Sequence, residues 1–176
     1  MEQMTILPVT SRPNDDWQTP PLALDPLIPY IKPNWTIWEC AEGKGNLSKA
    51  LREKGFVVIG TDILSDRDFL VWEPISYDCI ITNPPFSSKH QFLERAYRLR
   101  KPFAFLVPLT TFETSRRQAL FSQFGIEVIM FPFRIDFEHA GKTGKSYFVT
   151  AWFTHGLNIG RQLTFYVPKS THTGIL

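Results

Sequence analysis

Two cysteines in 176 residues are too few to staple a small disulfide-bonded fold. Cys40 and Cys79 stand far apart, each at the end of a predicted strand. They read as buried, reduced thiols, and so as the mark of a cytosolic compartment. No apolar run approaches the roughly 18 residues a membrane helix needs. The N-terminus lacks the basic-then-apolar pattern of a secretory leader, so none is expected. Excess charge is scarce too: the net charge is +2, which permits nucleic-acid binding through a local patch but does not demand it. The four histidines, His90, His139, His155 and His172, include no pair at zinc-ligand spacing. There is no Gly-x-Ser-x-Gly elbow and no lysine-ended phosphate loop. Neither a metal nor a covalent nucleophile is expected. Repeats and low-complexity tracts are absent. A hydrophobic content of 43% fits one globular domain with a sizeable core.

What the chain does have is organised around Asp78-Cys79-Ile80-Ile81-Thr82-Asn83-Pro84-Pro85-Phe86. The apolar run Cys79 to Thr82 reads as a buried strand. It stops in Asn-Pro-Pro-Phe, because neither proline can donate a ladder hydrogen bond and each fixes its own φ. A stiff loop therefore begins at the carboxyl end of a strand, where open α/β sheets bind ligands. Asn83 Oδ1 and the Pro84 carbonyl can each accept a hydrogen from an exocyclic NH2 on a planar ring, and Phe86 can lie on the ring face. Acceptors so placed favour the pyramidal, partly positive nitrogen of a transition state. A plain Pro-Pro turn with an Asn cap is the alternative for the tetrapeptide alone.

Upstream, Met1 to Asn14 reads as a loose arm. Thr19 caps a short helix over Pro20 to Leu27, broken by Pro26 and Pro29. Trp17 is either a core anchor or a lid. Thr36 to Ala41 is the first strand, feeding Glu42-Gly43-Lys44-Gly45-Asn46 and then a helix that ends at Gly55. Glycines in such a strand-turn-helix let the backbone approach a ligand closely. Phe56 to Thr61 is the second strand, and Asp62 at its end is placed to hold ribose hydroxyls. Asp68 could accept from an adenine amino group, with Phe69 or Ile63 against the ring. After the Asn83 loop, Ser88-Lys89-His90-Gln91 has the form of a capping box. Its helix turns Phe92, Leu93, Ala96, Tyr97 and Leu99 inward, and Arg95, Arg98, Arg100 and Lys101 outward. Phe103 to Leu109, Ile126 to Phe133, Tyr147 to Thr154 and Leu163 to Val167 are further strands. A helix runs from about Thr110 to Phe124, and Arg134 to Ser146 is a polar loop. Residues 168–176 read as a frayed tail.

In this order the motifs resemble those of Rossmann-like class I methyltransferases that use S-adenosylmethionine. They come closest to small phage and prophage DNA N6-adenine methyltransferases. The likeness spans about residues 15–155. Trp17-Gln18-Thr19-Pro20 resembles the N-terminal cofactor motif. Glu39-x-x-x-Gly43-x-Gly45, with Ala41 within it, resembles the glycine motif, although Glu42 stands where a small or aromatic residue is commoner. Asp62-Ile63 resembles the ribose-side motif, Asp68-Phe69 the adenine-side motif, and Asn83-Pro84-Pro85-Phe86 the catalytic motif. The resemblance implies an α/β fold with a mostly parallel seven-stranded sheet, an antiparallel last strand over Tyr147 to Thr154, and helices on both faces. It implies one methyltransferase domain over residues 15–167, with no separate target-recognition domain. It also implies S-adenosylmethionine as cofactor and methylation of the adenine N6 amino group in DNA. A flipped base would lie on Phe86, with Phe133 or Phe137 on its other side. Arg134, Lys142 and Lys145 are the candidate phosphate contacts, with Arg116 and Arg117 secondary. A monomer or homodimer is expected, with a second copy or a specificity partner making up for the missing recognition domain. Similar loops serve amino groups in RNA and a glutamine side chain in protein. A catalytically decayed binder of nucleic acid or of a partner is the non-enzymatic alternative.

Overall fold

A computed structural model describes residues 17–139, 142–145 and 148–165. The expected arm and tail lie outside them, as do the outermost residues of the expected domain. Seven strands form one sheet. They are β1 (Thr36–Glu39), β2 (Val57–Gly60), β3 (Cys79–Thr82), β4 (Phe103–Pro108), β5 (Glu127–Met130), β8 (Thr150–His155) and β9 (Leu163–Phe165), in the order β2-β1-β3-β4-β8-β5-β9. The first four pair in parallel. β8 inserts antiparallel between β4 and β5, and β9 closes the edge parallel to β5. All seven correspond to runs read as strands from the sequence, with bounds shifted by a few residues.

The strands are short and apolar on both sides because helices cover both faces. Consecutive residues point to opposite faces. Ile37, Cys79, Ile81, Ala104, Leu106 and Trp152 pack in one cluster with Leu47, Ala50 and Leu51 of α1 (Asn46–Glu53). Trp38, Ile80, Phe103, Phe105 and Phe153 pack in the other with Phe92, Leu93, Ala96 and Tyr97 of α2 (Lys89–Leu99). Phe121 of α3 (Ser115–Phe124) joins that second layer. Cys40 and Cys79 are free and buried within these layers.

Several elements depart from the sequence expectation. The proline-rich stretch after Thr19 forms two 3-10 turns, Pro21–Leu24 and Ile28–Tyr30, instead of one helix. Pro26 and Pro29 each remove a backbone donor, so no longer helix can propagate. Ser88 caps α2 by position only, and its side chain makes no capping hydrogen bond. Arg95 turns inward, with its guanidinium over the Phe69 ring and one N–H on the Trp72 carbonyl at 3.3 Å. The helix expected from Thr110 is split. Leu109–Phe112 is a 3-10 turn, and α3 begins at Ser115 with Thr114 Oγ1 accepting the Arg117 N–H. The polar stretch Arg134 to Ser146 is not all loop. It carries β6 (Asp136–His139) and β7 (Lys142–Lys145), an antiparallel pair separate from the main sheet. The Phe137 side chain anchors that pair by full burial in the α1-side cluster.

Candidate active site at the switch point

β1 has β2 on one side and β3 on the other, and both pair with it in parallel. The chain leaves β1 towards one neighbour through α1 and later returns on the opposite side. The carboxyl ends of β1 and β3 therefore diverge into a crevice, which is where such sheets bind ligands. The glycine turn and the Asn-Pro-Pro-Phe loop both open there.

On the β1 side, Gly43 (φ 53°) and Gly45 (φ 82°) are left-handed, a conformation that side-chain-bearing residues rarely adopt. The turn is held by Glu42 N–H donating to the Thr61 carbonyl at 3.0 Å, and Gly45 N–H to the Glu42 carbonyl at 2.8 Å. Gly43 N–H donates to Asp62 Oδ2 at 3.0 Å, and Leu64 N–H to Asp62 Oδ1 at 2.9 Å. Asp62 thus ties the glycine turn to the end of β2.

On the β3 side, Asn83 Nδ2 donates to the Trp17 backbone carbonyl at 2.6 Å. That bond fixes which end of the amide faces the crevice. Asn83 Oδ1 is buried and has no hydrogen-bond partner. Leaving a buried acceptor unmatched costs about 1–3 kcal/mol, so this atom is the natural seat for a donor from a ligand. Lys89 Nζ donates to the Phe86 carbonyl at 3.1 Å, and Ser88 N–H to the Pro85 carbonyl at 2.9 Å. Both stiffen the proline elbow.

Glu39 joins the two sides. It is 1% exposed. The Ala41 N–H and the Thr82 hydroxyl both donate to its Oε1. Burial pushes its pKa up to about 8, opposed by those two donors, with the Glu42 and Asp62 charges adding a little. A cation placed against this carboxyl would favour its ionised form.

Trp17, Gln18 and Thr19 wall the crevice from the N-terminal segment, with Glu39, Ala41 and Glu42 below, Leu47 of α1 behind and Asn83 opposite. The recess they leave holds about 20 Å³, room for roughly one water. Side chains, not backbone, close it. A Cβ on Gly43 would lie 2.9 Å from Gln18 Nε2, and one on Gly60 would lie 2.0 Å from Glu42 Oε1. The donor set suits a nucleoside carrying an ammonium group, and the width depends on where Gln18 and Glu42 turn.

Other expected site residues fall out differently. Thr19 is buried and Pro20 caps the first 3-10 turn, both beside the crevice. Phe69 is 1% exposed and stacks on Phe92 with ring centroids 4.6 Å apart, so it cannot lie on a ligand ring. Asp68 helps hold its own turn, its Oδ1 accepting the Leu70 N–H at 2.9 Å. Ile63, which opens the 3-10 turn after β2, is exposed and is not taken up by the core. Phe86 meets Phe148 and Phe137 edge to face, at 5.2 and 6.4 Å, and Trp17 meets the same two rings at 5.8 and 6.1 Å. Phe137 therefore belongs to an aromatic cluster behind the loop and not to a facing wall. Phe133 is exposed and packs on Phe131. Arg117 donates to the carbonyls of Thr111 (2.6 Å) and Thr110 (3.2 Å), which fastens the turn before α3. Arg116 pairs with Glu94 at 3.5 Å and stays 72% exposed. Arg134 is exposed, and Lys142 and Lys145 lie on β7. Sequence reasoning left out Glu42, Leu47 and Thr82 as site residues, and had Gln18 only as a member of the Trp17 to Pro20 motif. Thr82 carried a signal, as the one polar residue ending an apolar strand against the Asn83 loop.

No family model matches the sequence, and no curated protein matches it. Solved structures do. A Listeria monocytogenes protein, provisionally described as a class I S-adenosylmethionine-dependent methyltransferase, superposes with a TM-score of 0.58 at 19% identity, over 80% of this chain and 61% of its own. The fold is that of the class I methyltransferases. The chain spans 61% of that protein's length, and at 19% identity the likeness shows the fold alone. A Pyrococcus horikoshii protein, provisionally described as an RNA methyltransferase, gives a TM-score of 0.42 at 15% identity over 69% of this chain and 73% of its own. That likeness is too weak to carry an argument. Within the class I methyltransferase fold, the switch-point crevice is the place where the glycine turn, Glu39 and the Asn83 loop come together.

Proposed function

We propose that this chain transfers the methyl group of S-adenosylmethionine to the N6 amino group of adenine in DNA. The observation that carries the reading is Asn83 Oδ1, a buried acceptor without a partner, fixed by the Trp17 carbonyl at the crevice that the glycine turn also lines. When bound, the cofactor supplies an electrophilic methyl group on a positively charged sulfur.

The chain's own residues do the rest by position and polarity. Gly43 and Gly45 let the backbone approach the cofactor. The carboxylates at the ends of β1 and β2 face its ammonium group and its ribose. Asn83 Oδ1 and the Pro84 carbonyl accept the two amino hydrogens of the base. Two acceptors aimed at one NH2 would favour the pyramidal nitrogen whose lone pair can form the new N–C bond while the methyl–sulfur bond breaks and its electron pair goes to sulfur; the extra proton on nitrogen would then leave to solvent. Phe86 supports the base, which in a duplex must first be flipped out at a cost of a few kcal/mol. Arg134, Lys142 and Lys145 on the β6–β7 segment, with exposed Arg116, are the proposed phosphate contacts. Arg117 serves the structure of its turn. A hairpin as short as β6–β7 would read a short or relaxed target site, unless a partner adds specificity. No helix among the described residues is long and apolar enough to cross a membrane.

Incubating the purified protein with methyl-labelled cofactor and, separately, DNA, RNA and protein extract tests this. Label recovered from DNA as N6-methyladenine is expected. Label found only in RNA or protein would keep the chemistry and overturn the substrate, and label in none would point to a binder that no longer catalyses.

A further inference from the structure

We propose that Thr82 is a positioning residue, whose hydroxyl ties the carboxyl that meets the cofactor to the amide that meets the base. This rests on the methyltransferase reading above and deepens it. The ladder between β1 and β3 pairs Ile37 with Cys79 and Trp38 with Ile80, and goes no further. Glu39 and Thr82, the last residues of the two strands, lie beyond it, where the crevice opens. There a side-chain bond takes over from the backbone: the Thr82 hydroxyl donates to Glu39 Oε1. The Ala41 N–H donates to the same oxygen at 3.0 Å, and among the described residues Oε2 makes no hydrogen bond. The carboxyl is thus anchored by one oxygen and can offer the other to the recess that it lines.

Thr82 is fully buried and is not among the residues that wall the recess, whereas Glu39 and Asn83 both are. It stands one hydrogen bond from the first and one peptide bond from the second. The strength of that hydrogen bond depends on charge, because a bond to an ionised carboxylate is roughly twice as strong as one to a neutral group. Burial holds Glu39 towards its neutral form, and the nearby Glu42 and Asp62 charges act the same way. The neighbouring Cys40 thiol is kept protonated by burial and adds no charge of its own. A ligand ammonium against Glu39 reverses the balance and ionises it. Filling the cofactor end of the crevice therefore tightens the bond that holds the end of β3, and with it the backbone that carries the Asn83 amide. The Trp17 carbonyl holds the same amide by its Nδ2. With both ends held, Oδ1 is aimed before the base arrives.

The test combines a titration with an assay of the full chain. Carbon-detected NMR without ligand reads the Glu39 carboxyl, whose midpoint lies near pH 8 in wild type. In Thr82→Val a donor to the ionised form is lost, so the midpoint should rise by about one pH unit, and Thr82→Ser should restore it. With saturating methyl-labelled cofactor, Thr82→Val should lower kcat on DNA by about 10-fold and leave KM for DNA within about 2-fold, with kcat restored by Thr82→Ser. An unmoved midpoint or an unmoved kcat in Thr82→Val would each overturn the proposal. So would a loss that Thr82→Ser failed to repair, which is the mark of lost packing. Wild type that bound no cofactor in a calorimetric titration would instead remove the methyltransferase reading, and this proposal with it.

Discussion

Asn83 shows how a single residue can be stable in one half and frustrated in the other. Its Nδ2 is satisfied at 2.6 Å by the Trp17 carbonyl, while Oδ1 is buried without a donor. Replacing it by alanine removes one hydrogen bond and also one orphan, two effects of about 1 kcal/mol each that oppose one another. Asn83→Ala should therefore leave stability within about 1 kcal/mol of wild type while cutting turnover by roughly 100-fold or more, the scale of losing one oriented polar group. Cofactor affinity should survive. Equal loss of cofactor binding in a calorimetric titration would make Asn83 a cofactor ligand only. This residue was legible in the sequence because the two prolines after it leave few backbone choices. Phe69 was not. An aromatic after an acid reads the same whether it faces a ligand or the core, and only the packing against Phe92 and Phe105 shows that it faces the core.

Among the elements, the sheet strands could be read because Ile, Val, Phe and Trp runs of four to six residues bounded by turn residues have few other uses. The β6–β7 pair could not. Its residues, from Asp136 to Lys145, are mostly polar with two glycines, and only Phe137 betrays an anchor. The N-terminal segment raises the same difficulty in another form, since its prolines forbid a helix yet its position is set by distant contacts. One of these is Trp152 on β8, whose Nε1–H donates to the Ala23 carbonyl at 2.6 Å inside the core. Ala23 lies four residues after Thr19, so this bond also braces the wall formed by Trp17, Gln18 and Thr19. Trp152→Phe keeps most of the apolar volume but strands a buried carbonyl, at an expected cost of about 1–3 kcal/mol. Urea denaturation should show that loss, and the variant should also bind cofactor more weakly, although it touches none. Destabilisation with unchanged affinity would mean the wall is held in place without the first 3-10 turn.

At the scale of the whole molecule, the sheet order is what no local pattern supplies. That β8 runs antiparallel was carried by the resemblance and not by the alternation of its residues, and its place between β4 and β5 comes from the structure alone. The same order places Glu39 at the centre of the parallel half, where β1 meets β3, and buries it. Burial is the largest cause of its raised pKa of about 8, against 4.5 for an ordinary glutamate. Between those values the folded chain holds a proton that the unfolded chain has released. The stability owed to this group is therefore complete below about pH 4.5 and is lost as pH rises through about 8, with a slope of up to about 1.4 kcal/mol per pH unit. Unfolding free energies measured in urea between about pH 5 and 8 should fall by that trend in wild type, and Glu39→Gln should flatten it. A variant with the wild-type slope would mean that Glu39 is ionised throughout. The same proton links folding to binding. A ligand ammonium brought against Glu39 favours the ionised carboxyl, so cofactor affinity should rise across this window by up to about 10-fold per pH unit, with one proton released on binding. Titrating in buffers of different ionisation enthalpy would count that proton, and a count of zero would put the ammonium elsewhere in the crevice.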